Sequence, residues 1–470
     1  MKLALIGGAY KGRSSNVSSE TCINLFKEGD SLVGTPGDSV FNSSYSGPVR
    51  GGIEYNDLAY FVIGNTLYEF NSAGGGASRG TIGTATGRVS MAHNGVRSGA
   101  NQQIFIADGT SGYIYDNATS TLAEISDADM TSADTVVFFD GYFLFNQTNT
   151  DRFWQTAAYD GTSIVATDFY TAEGDPDKAV SLLTDRRQLF VFGQKTTEGY
   201  YNSGDADSTF QRFQGGFSQT GCAAAFSAAR FDNAVMWLSR NEKGDGEIVR
   251  MADGYQPVTV STHEINYQIS KYTTISDAFA YAYRHEGHEF YVITFPTANV
   301  TWVYDALEKE WHHRAHNIGG VFPSRERYNC HVFAFGKHLF GDYSNGKIYA
   351  LSGTSATVNG ERIERERATV GIADEDEGRV RIHSFQLDMQ EGIGDQTTDD
   401  DGLIYLSYSK DGGHTWSNEV SRDAGDTGEY DKRIIWRRLG IGRNWIFRIR
   451  TWTPQRVVFK GAIVQTYEQP

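Results

Sequence analysis

Proline, methionine and cysteine are scarce in this chain, with 8, 6 and 3 among 470 residues. Long amphipathic stretches rich in Ala, Leu, Glu and Lys are missing, which argues against a helical architecture. No apolar run approaches the roughly 18 residues of a membrane-spanning helix, so no such span is expected. The three cysteines, Cys22, Cys222 and Cys330, are odd in number and widely spaced. That pattern is not a disulfide framework; it fits unpaired thiols in a protein assembled in a reducing cytoplasm. Basic residues are also short, with 42 Lys and Arg against 58 Asp and Glu and a formal net charge of −16. A tight grip on nucleic acid needs Lys and Arg to displace counterions from phosphates, so the balance argues against one. A surface past which DNA slides without sticking is compatible with it, as is ordinary solubility. The start, Met1 to Ala9, imitates a signal peptide, but its apolar run is short and Tyr10-Lys11-Gly12-Arg13 stands where a cleavage site belongs.

Glycine and aromatics are abundant instead: 52 Gly, 28 Phe, 26 Tyr and 8 Trp. Aromatic side chains fit a pleated, half-buried surface, and glycine supplies the positive φ of tight hairpin turns. The chain is therefore expected to be all-β. Period-two runs split by turn residues recur along it: 58–63 with 66–70, 103–107 with 113–115, 136–139 with 142–145, 189–192 with 198–201, 235–238 with 247–251, 290–294 with 301–304, and 332–335 with 347–351. Asp140-Gly141 in the third is among the strongest hairpin signals. The recurrence lies near the period of about 40 to 50 residues of four-stranded propeller blades. Residues 48–353 are read as a β-propeller-like body of six or seven blades, although a pair of β-sandwiches would give the same alternation.

After Ser352-Gly353 the texture changes. A charge-rich stretch, Glu361-Arg362-Ile363-Glu364-Arg365-Glu366-Arg367, leads to strand candidates at 380–389, 403–409, 434–439, 445–452 and 457–464, with an acidic loop from Asp395 to Gly402. Residues 354–470 are read as a C-terminal β-sandwich domain and 1–47 as an extended N-terminal arm.

Several motifs imitate active sites. Gly7-Gly8-Ala9-Tyr10-Lys11-Gly12-Arg13-Ser14 approaches a phosphate-binding P-loop, but Arg13 occupies the position where Lys must reach the phosphates, and no βαβ pattern follows. Ser409-Lys410-Asp411-Gly412-Gly413-His414-Thr415-Trp416 matches the Asp box, in which the carboxylate accepts backbone N–H groups across a tight turn and the Trp packs beneath the hairpin. Sialidase-like glycosidases carry several such boxes on successive blades; one is seen here. His312, His313 and His316 lack the spacing of a zinc motif. Asp127 with Asp129, Asp205 with Asp207, and Asp399 to Asp401 lack the spaced oxygen series of a calcium loop. No catalytic, cofactor-binding or metal-binding residues are assigned.

Other segments carry a resemblance. Gly221-Cys222-Ala223-Ala224, Phe231-Asp232-Asn233 and Met236-Trp237-Leu238 form a central block, followed by Gly254 to Ile265. Thr301-Trp302-Val303-Tyr304-Asp305 with Glu310-Trp311-His312 forms another, and Lys337 to Asp342 with Gly346-Lys347-Ile348-Tyr349 a third. Gly87 to His93 and Tyr430 to Gly440 complete the set. In this order they resemble the tail-hub, or packaged-DNA stabilisation, proteins of bacteriophages with short non-contractile tails. The resemblance runs from about residue 10 to 465 and is weakest over 117–180 and 355–400.

What it implies is a non-enzymatic structural protein of the virion tail, assembled in the host bacterial cytoplasm. Its partners would be five further copies in a hexameric ring, the portal and its adaptor, a tail fibre or tailspike, and a needle or plug. Packaged DNA would pass through the ring without tight specific binding. The motif positions then read as turn glycines (Gly87, Gly254, Gly341, Gly346, Gly440) and buried aromatics (Trp237, Trp302, Trp311, Trp436). With the acidic excess, the ring lumen is expected to be acidic or neutral. The basic cluster Lys432-Arg433, Arg437-Arg438 and Arg443 is expected on the outer side or at a subunit contact, paired with acidic neighbours such as the 395–401 loop. The competing reading is a glycan-binding or sialidase-like propeller of a phage tail, which would need a pair of carboxylates flanking the scissile bond. A twelve-copy adaptor is a third reading, but adaptors tend to be small and helical.

Overall fold

Alternation of inward and outward side chains builds nearly every element of this chain, and its only α-helix among the described residues is His263–Ile269, capped by Thr262. The computed structural model describes residues 1–11, 19–172, 177–205, 208–241, 244–252, 255–373, 378–390, 402–425, 429 and 431–467.

Among the described residues, seven antiparallel sheets follow one another along the sequence as propeller blades. They cover 49–81, 90–124, 133–171, 179–218, 221–259, 279–314 and, for blade 7, 328–352. Blade 7 receives its fourth, outermost strand from Gly37–Asn42, which pairs antiparallel with Ile348–Ser352 and closes the ring between the two ends of the propeller sequence. Packing between blades supplies the core. Val49, Phe61 and Phe70 of blade 1 meet Val332, Leu339 and Ile348 of blade 7, and an equivalent buried cluster fills every other gap around the ring. Each large aliphatic or aromatic side chain so buried contributes about 1.5–3 kcal/mol.

Six of the seven blades turn from first to second strand through two residues that both have positive φ. The pairs are Asn56-Asp57, Asp140-Gly141, Arg186-Arg187, Asp232-Asn233, Glu286-Gly287 and Phe335-Gly336. This backbone matches the twist of the flanking strands. It also corrects the seventh expected hairpin: 332–335 does not pair with 347–351, because Phe335-Gly336 turns the chain into Lys337–Asp342, which lies between them. Gly341 is likewise not a turn glycine; it sits in that strand, where a Cβ would lie 2.3 Å from the Val49 side chain, so it permits blades 7 and 1 to approach.

The C-terminal part is a two-layer sandwich. One sheet runs Leu25–Glu28, Ser31–Gly34, Val458–Tyr467, Val380–Met389, Ile434–Gly442, with Lys2–Leu3 on the edge of Val458–Tyr467. The other contains Arg365–Ala368, Asn444–Thr451, Leu403–Ser409 and Val420–Asp423. The described residues of 1–47 are thus extended largely as paired strands, divided between the sandwich and the propeller. Phe385, Trp436, Trp445 and Phe447 of the sandwich belong to one buried cluster with Met236, Leu238, Tyr291 and Trp302 of blades 5 and 6.

Candidate functional site

The place where the propeller meets the sandwich is built from three distant pieces of sequence. Ser19–Ile23 lies between the outer strand of blade 6, Glu310–Arg314, and the sandwich strand Arg365–Ala368. Ile23 stands opposite His313 in a parallel bridge, while Thr21, Cys22 and Ile23 stand opposite Ala368, Arg367 and Glu366. One inserted strand thereby joins blade 6 and a sandwich sheet into a continuous sheet of eleven strands.

Three buried polar side chains fasten this joint. Asn24, with φ +54°, donates from Nδ2 to the carbonyls of Ala315 (2.6 Å) and Glu364 (2.7 Å) and accepts from the Ala315 N–H (2.9 Å). Arg367, fully buried, donates to the carbonyls of Leu5 (2.7 Å), Gly8 (2.8 Å) and Thr21 (3.2 Å) and to the Glu20 carboxylate (2.8 Å). Arg365 reaches the carbonyls of Thr35 and Thr453 at 3.4 and 3.2 Å, and burial pushes its guanidinium down to about 10. On the opposite face Glu364 and Glu366 turn to Arg450, which also pairs with Glu419 at 2.7 Å. A sequence window shows only a charged run here; the strand period of two sends its arginines inward and its glutamates outward. Beside the joint lies a 430 Å³ cleft lined by Tyr272, Trp302, Phe322, Glu366, Arg448 and Arg450.

Two nearby constellations have the composition of catalytic groups but are sealed in packing. His288 Nδ1 and Asp305 Oδ2 are 2.6 Å apart with both side chains 2% exposed, walled by Phe26 and Phe290. Glu326 accepts from the Tyr281 hydroxyl at 2.9 Å and faces Arg314 at 3.8 Å. Burial raises the Asp305 and Glu326 carboxyls above the usual range. Such pairs satisfy buried charge; neither is open to a substrate.

The motifs singled out by sequence fall in separate places. Arg13 lies outside the described residues, and Gly8 is a packing glycine whose Cβ would meet Glu310 and Trp311 at 2.6 Å. The Asp box is formed: Asp411 accepts from Thr415 N (2.9 Å), Thr415 Oγ1 (2.6 Å) and Ser409 Oγ (2.7 Å), which holds its carboxyl well below the usual range. Its Trp416 is not beneath the hairpin in the core but half-buried under the Arg448 guanidinium at 4.3 Å, because it projects from the outer face of the sheet. His312 is buried between Phe26 and Phe290, whereas His316 accepts from Arg327 N at 3.0 Å. No group of three metal-ligating side chains occurs among the described residues. Asp127 caps the N–H groups of Asp129 and Ile164, and Asp205 receives no metal-like arrangement; Asp207 and Asp399 to Asp401 lie outside the described residues. Lys432 pairs with Asp423 (2.5 Å) and Glu429 (3.3 Å), and Arg433, Arg437, Arg438 and Arg443 are exposed; the 395–401 loop proposed to face them is outside the described residues. Trp237, Trp302, Trp311 and Trp436 are all buried. The three cysteines are buried free thiols, each pushed up to about 11 by burial.

Comparison with known proteins gives matches to two family models. Residues 2–356 match the family described as Bacteriophage P22 Gp10, beta-propeller, and residues 364–467 the family described as Bacteriophage P22 Gp10, beta-sandwich. The tail hub protein gp10 of Salmonella phage P22 is 23% identical over 439 residues, covering 89% of this chain and 88% of that protein. Among solved structures, the extracellular domain of BT4673 from B. thetaiotaomicron gives a TM-score of 0.45 at 10% identity, over 90% of this chain and 60% of that one. The N-terminal domain of Nup159 gives 0.41 at 9% identity, over 74% and 98%.

Proposed function

The chain belongs to the bacteriophage P22 Gp10 family through both its β-propeller and its β-sandwich, and from that membership we propose that it is a structural, non-enzymatic tail hub of a short-tailed phage. The observation that carries the reading is the end-to-end match to the tail hub protein gp10, which spans both parts of the chain. In this reading six copies form a ring in the virion tail that continues the DNA channel below the portal and adaptor. The ring helps retain packaged DNA and anchors fibres or spikes and a needle or plug. Residues 48–353 serve as the propeller body and 354–470 as the sandwich, with 1–47 strapping the two together.

The geometry supports a mechanical role. A hub that holds a pressurised genome and bears fibres needs its parts to move as one body, and an eleven-stranded sheet with a shared core joins propeller to sandwich here. The acidic excess suits passage, since DNA carries about one negative charge per 1.7 Å and a basic lumen would hold it at many points. Screening over about 8 Å keeps the repulsion local. Negative-stain imaging and native mass measurement of the purified chain, alone and with its adaptor, test the assembly: a six-fold ring is expected. A stable monomer in the presence of the adaptor, or a twelve-fold ring, overturns it. Micromolar binding of duplex DNA at physiological salt would overturn the account of the lumen.

A further inference from the structure

Histidine is unevenly distributed in this chain: seven of the eleven fall between positions 285 and 338, the stretch that spans blades 6 and 7. The seam between those blades is aromatic, with Tyr281, Tyr283 and Phe290 of blade 6 in one buried cluster with Tyr328, Phe340 and Tyr349 of blade 7.

Two neighbouring strands of blade 7, Tyr328–Ala334 and Lys337–Asp342, send His331 and His338 into this seam. His331 Nε2 and His338 Nδ1 are 2.9 Å apart, and the rings stack at 5.1 Å between centroids. Two imidazoles at this distance need one nitrogen that carries hydrogen and one that does not. Blade 6 holds the pair from the other side. The Tyr283 ring lies 5.7 Å from His331 and 5.4 Å from His338, Tyr281 lies 5.9 Å from His331, and the Arg284 backbone hydrogen-bonds His338. His285 is the further titratable group that this strand brings toward His338, while Arg314 and Glu326 stand behind the tyrosines, bonded to their hydroxyls. Within blade 7 the neighbouring rings are Phe333 and Phe340, and Cys330 and Val332 on the same strand turn to blade 1 instead. No carboxylate pairs with either histidine among the described residues. Burial pushes His331 down to about 3 and lowers His338.

Two further rings at the seam are built into roles that suit only the neutral form. His316 Nδ1 accepts from the Arg327 N–H at 3.0 Å, with the Tyr328 ring 5.7 Å away. His312 lies against Phe26 and Phe290, and its Nε2 is buried with no hydrogen-bond partner among the described residues. Arg314 and Arg327 face His316, and Arg314, His313 and His288 face His312, so these neighbours disfavour a further positive charge.

When the seam parts, its histidines meet water and regain an ordinary pKa of about 6.5, so the open form takes up protons that the closed form refuses. We propose that the seam between blades 6 and 7 is an acid-operated latch, closed by the His331–His338 bond and opened when both rings become imidazolium and two N–H groups face each other. Each histidine that is neutral when closed and charged when open raises the opening constant about tenfold per pH unit below about pH 6.5. Asp38 and Glu326, the raised carboxyls at this seam, act in the opposite sense from about pH 4 upward, so the histidine share is read against histidine variants.

The test is hydrogen exchange of the full chain, read by mass spectrometry at about pH 7 and about pH 5 and corrected for intrinsic exchange. Blade 4, residues 179–218, contains no histidine and serves as the internal reference. Protection over 279–285 and 328–342 is expected to fall about tenfold or more beyond the fall in blade 4. His331→Gln keeps an amide donor for His338 but removes one titrating ring, and its seam is expected to lose about tenfold less protection than the parent's. His338→Gln serves if that variant does not fold, and the localisation in the parent decides if neither does. Equal loss in blade 4 and the seam, no loss at the seam, or a variant with the parent's pH response overturns the proposal.

Discussion

Arg367 shows what one side chain does at the joint. Its guanidinium serves three carbonyls from the N-terminal segment and one carboxylate, so removing it leaves one buried and three part-buried acceptors without that donor. Arg367→Ala is expected to cost about 3–5 kcal/mol, as for breaking a buried charge network. Arg367→Lys should recover only part, since an ammonium cannot span the same fork. Denaturant titration checks this, and a loss below about 1 kcal/mol would contradict the role given to the residue. Histidines give a second residue-scale expectation. His316 and His331 are held near 3 and His312 well below its ordinary value, chiefly by burial. The unfolded chain therefore takes up protons below about pH 6.5 that the folded chain refuses, so this stability is full above that pH and falls as the solution is acidified. Asp38, Asp305 and Glu326, whose carboxyls are raised by burial, act in the opposite sense from about pH 4 upward, so the histidine contribution is read as the difference between the parent and a histidine variant over roughly pH 4–6.5. There His331→Asn should remove about 1 kcal/mol per pH unit of slope, read from stability measured at several pH values.

At the scale of elements, the blade turns explain which parts of the fold were legible. Period-two runs and Asp140-Gly141 announce hairpins in the amino-acid pattern, and their spacing announces blades. Arg186-Arg187 and Phe335-Gly336 adopt the same backbone with residues that carry little or no turn signal, so the repeat is one of conformation and the last blade is misread. The N-terminal strands are shorter still, two to six residues, and four of them, Lys2–Leu3, Ser19–Ile23, Ser31–Gly34 and Gly37–Asn42, find partners more than 300 positions away; no local pattern encodes that. For the same reason the joint was invisible, although the alternation of Glu364, Arg365, Glu366 and Arg367 carried its signal. Arg187 offers a test of the turn argument. It has φ +59°, its side chain is 87% exposed, and its pairing with Asp140 is 4.0 Å long. A non-glycine residue in this region costs roughly 1–2 kcal/mol, whereas a surface pair contributes little. Arg187→Gly is therefore expected to stabilise the chain by about 0.5–1 kcal/mol after the glycine's own entropy cost, visible as a raised melting temperature. A lowered one would mean that the arginine side chain contributes more than its exposure implies.

The whole molecule is organised by its first 42 residues, which appear in the sandwich, in the joint and in blade 7. Gly37–Asn42 closes the propeller, with Asp38 accepting from the Tyr328 hydroxyl and the Asn359 N–H at 2.7 Å each. Ser19–Ile23 fuses the sheets, and Leu25–Glu28 with Ser31–Gly34 covers the sandwich edge. Deleting 1–42 should therefore do more than trim an arm. It removes the outer strand of blade 7, so Ile348–Ser352 becomes an unpaired edge prone to pairing with other chains. It also strips Leu25, Leu32 and Cys22 from the shared core, takes from Arg367 its acceptors on Leu5, Gly8, Thr21 and Glu20, and takes from Arg365 its acceptor on Thr35. Loss of three buried apolar side chains alone costs roughly 6 kcal/mol, a large part of the typical 5–15 kcal/mol margin of a folded domain. The truncated chain is expected to aggregate, or to lose hydrogen-exchange protection in blade 7 and the sandwich together while the intact chain unfolds in one transition. If instead the deletion left both protected, or the intact chain unfolded in two well-separated steps, propeller and sandwich would be independent bodies, and the mechanical continuity proposed for the hub would fail with them.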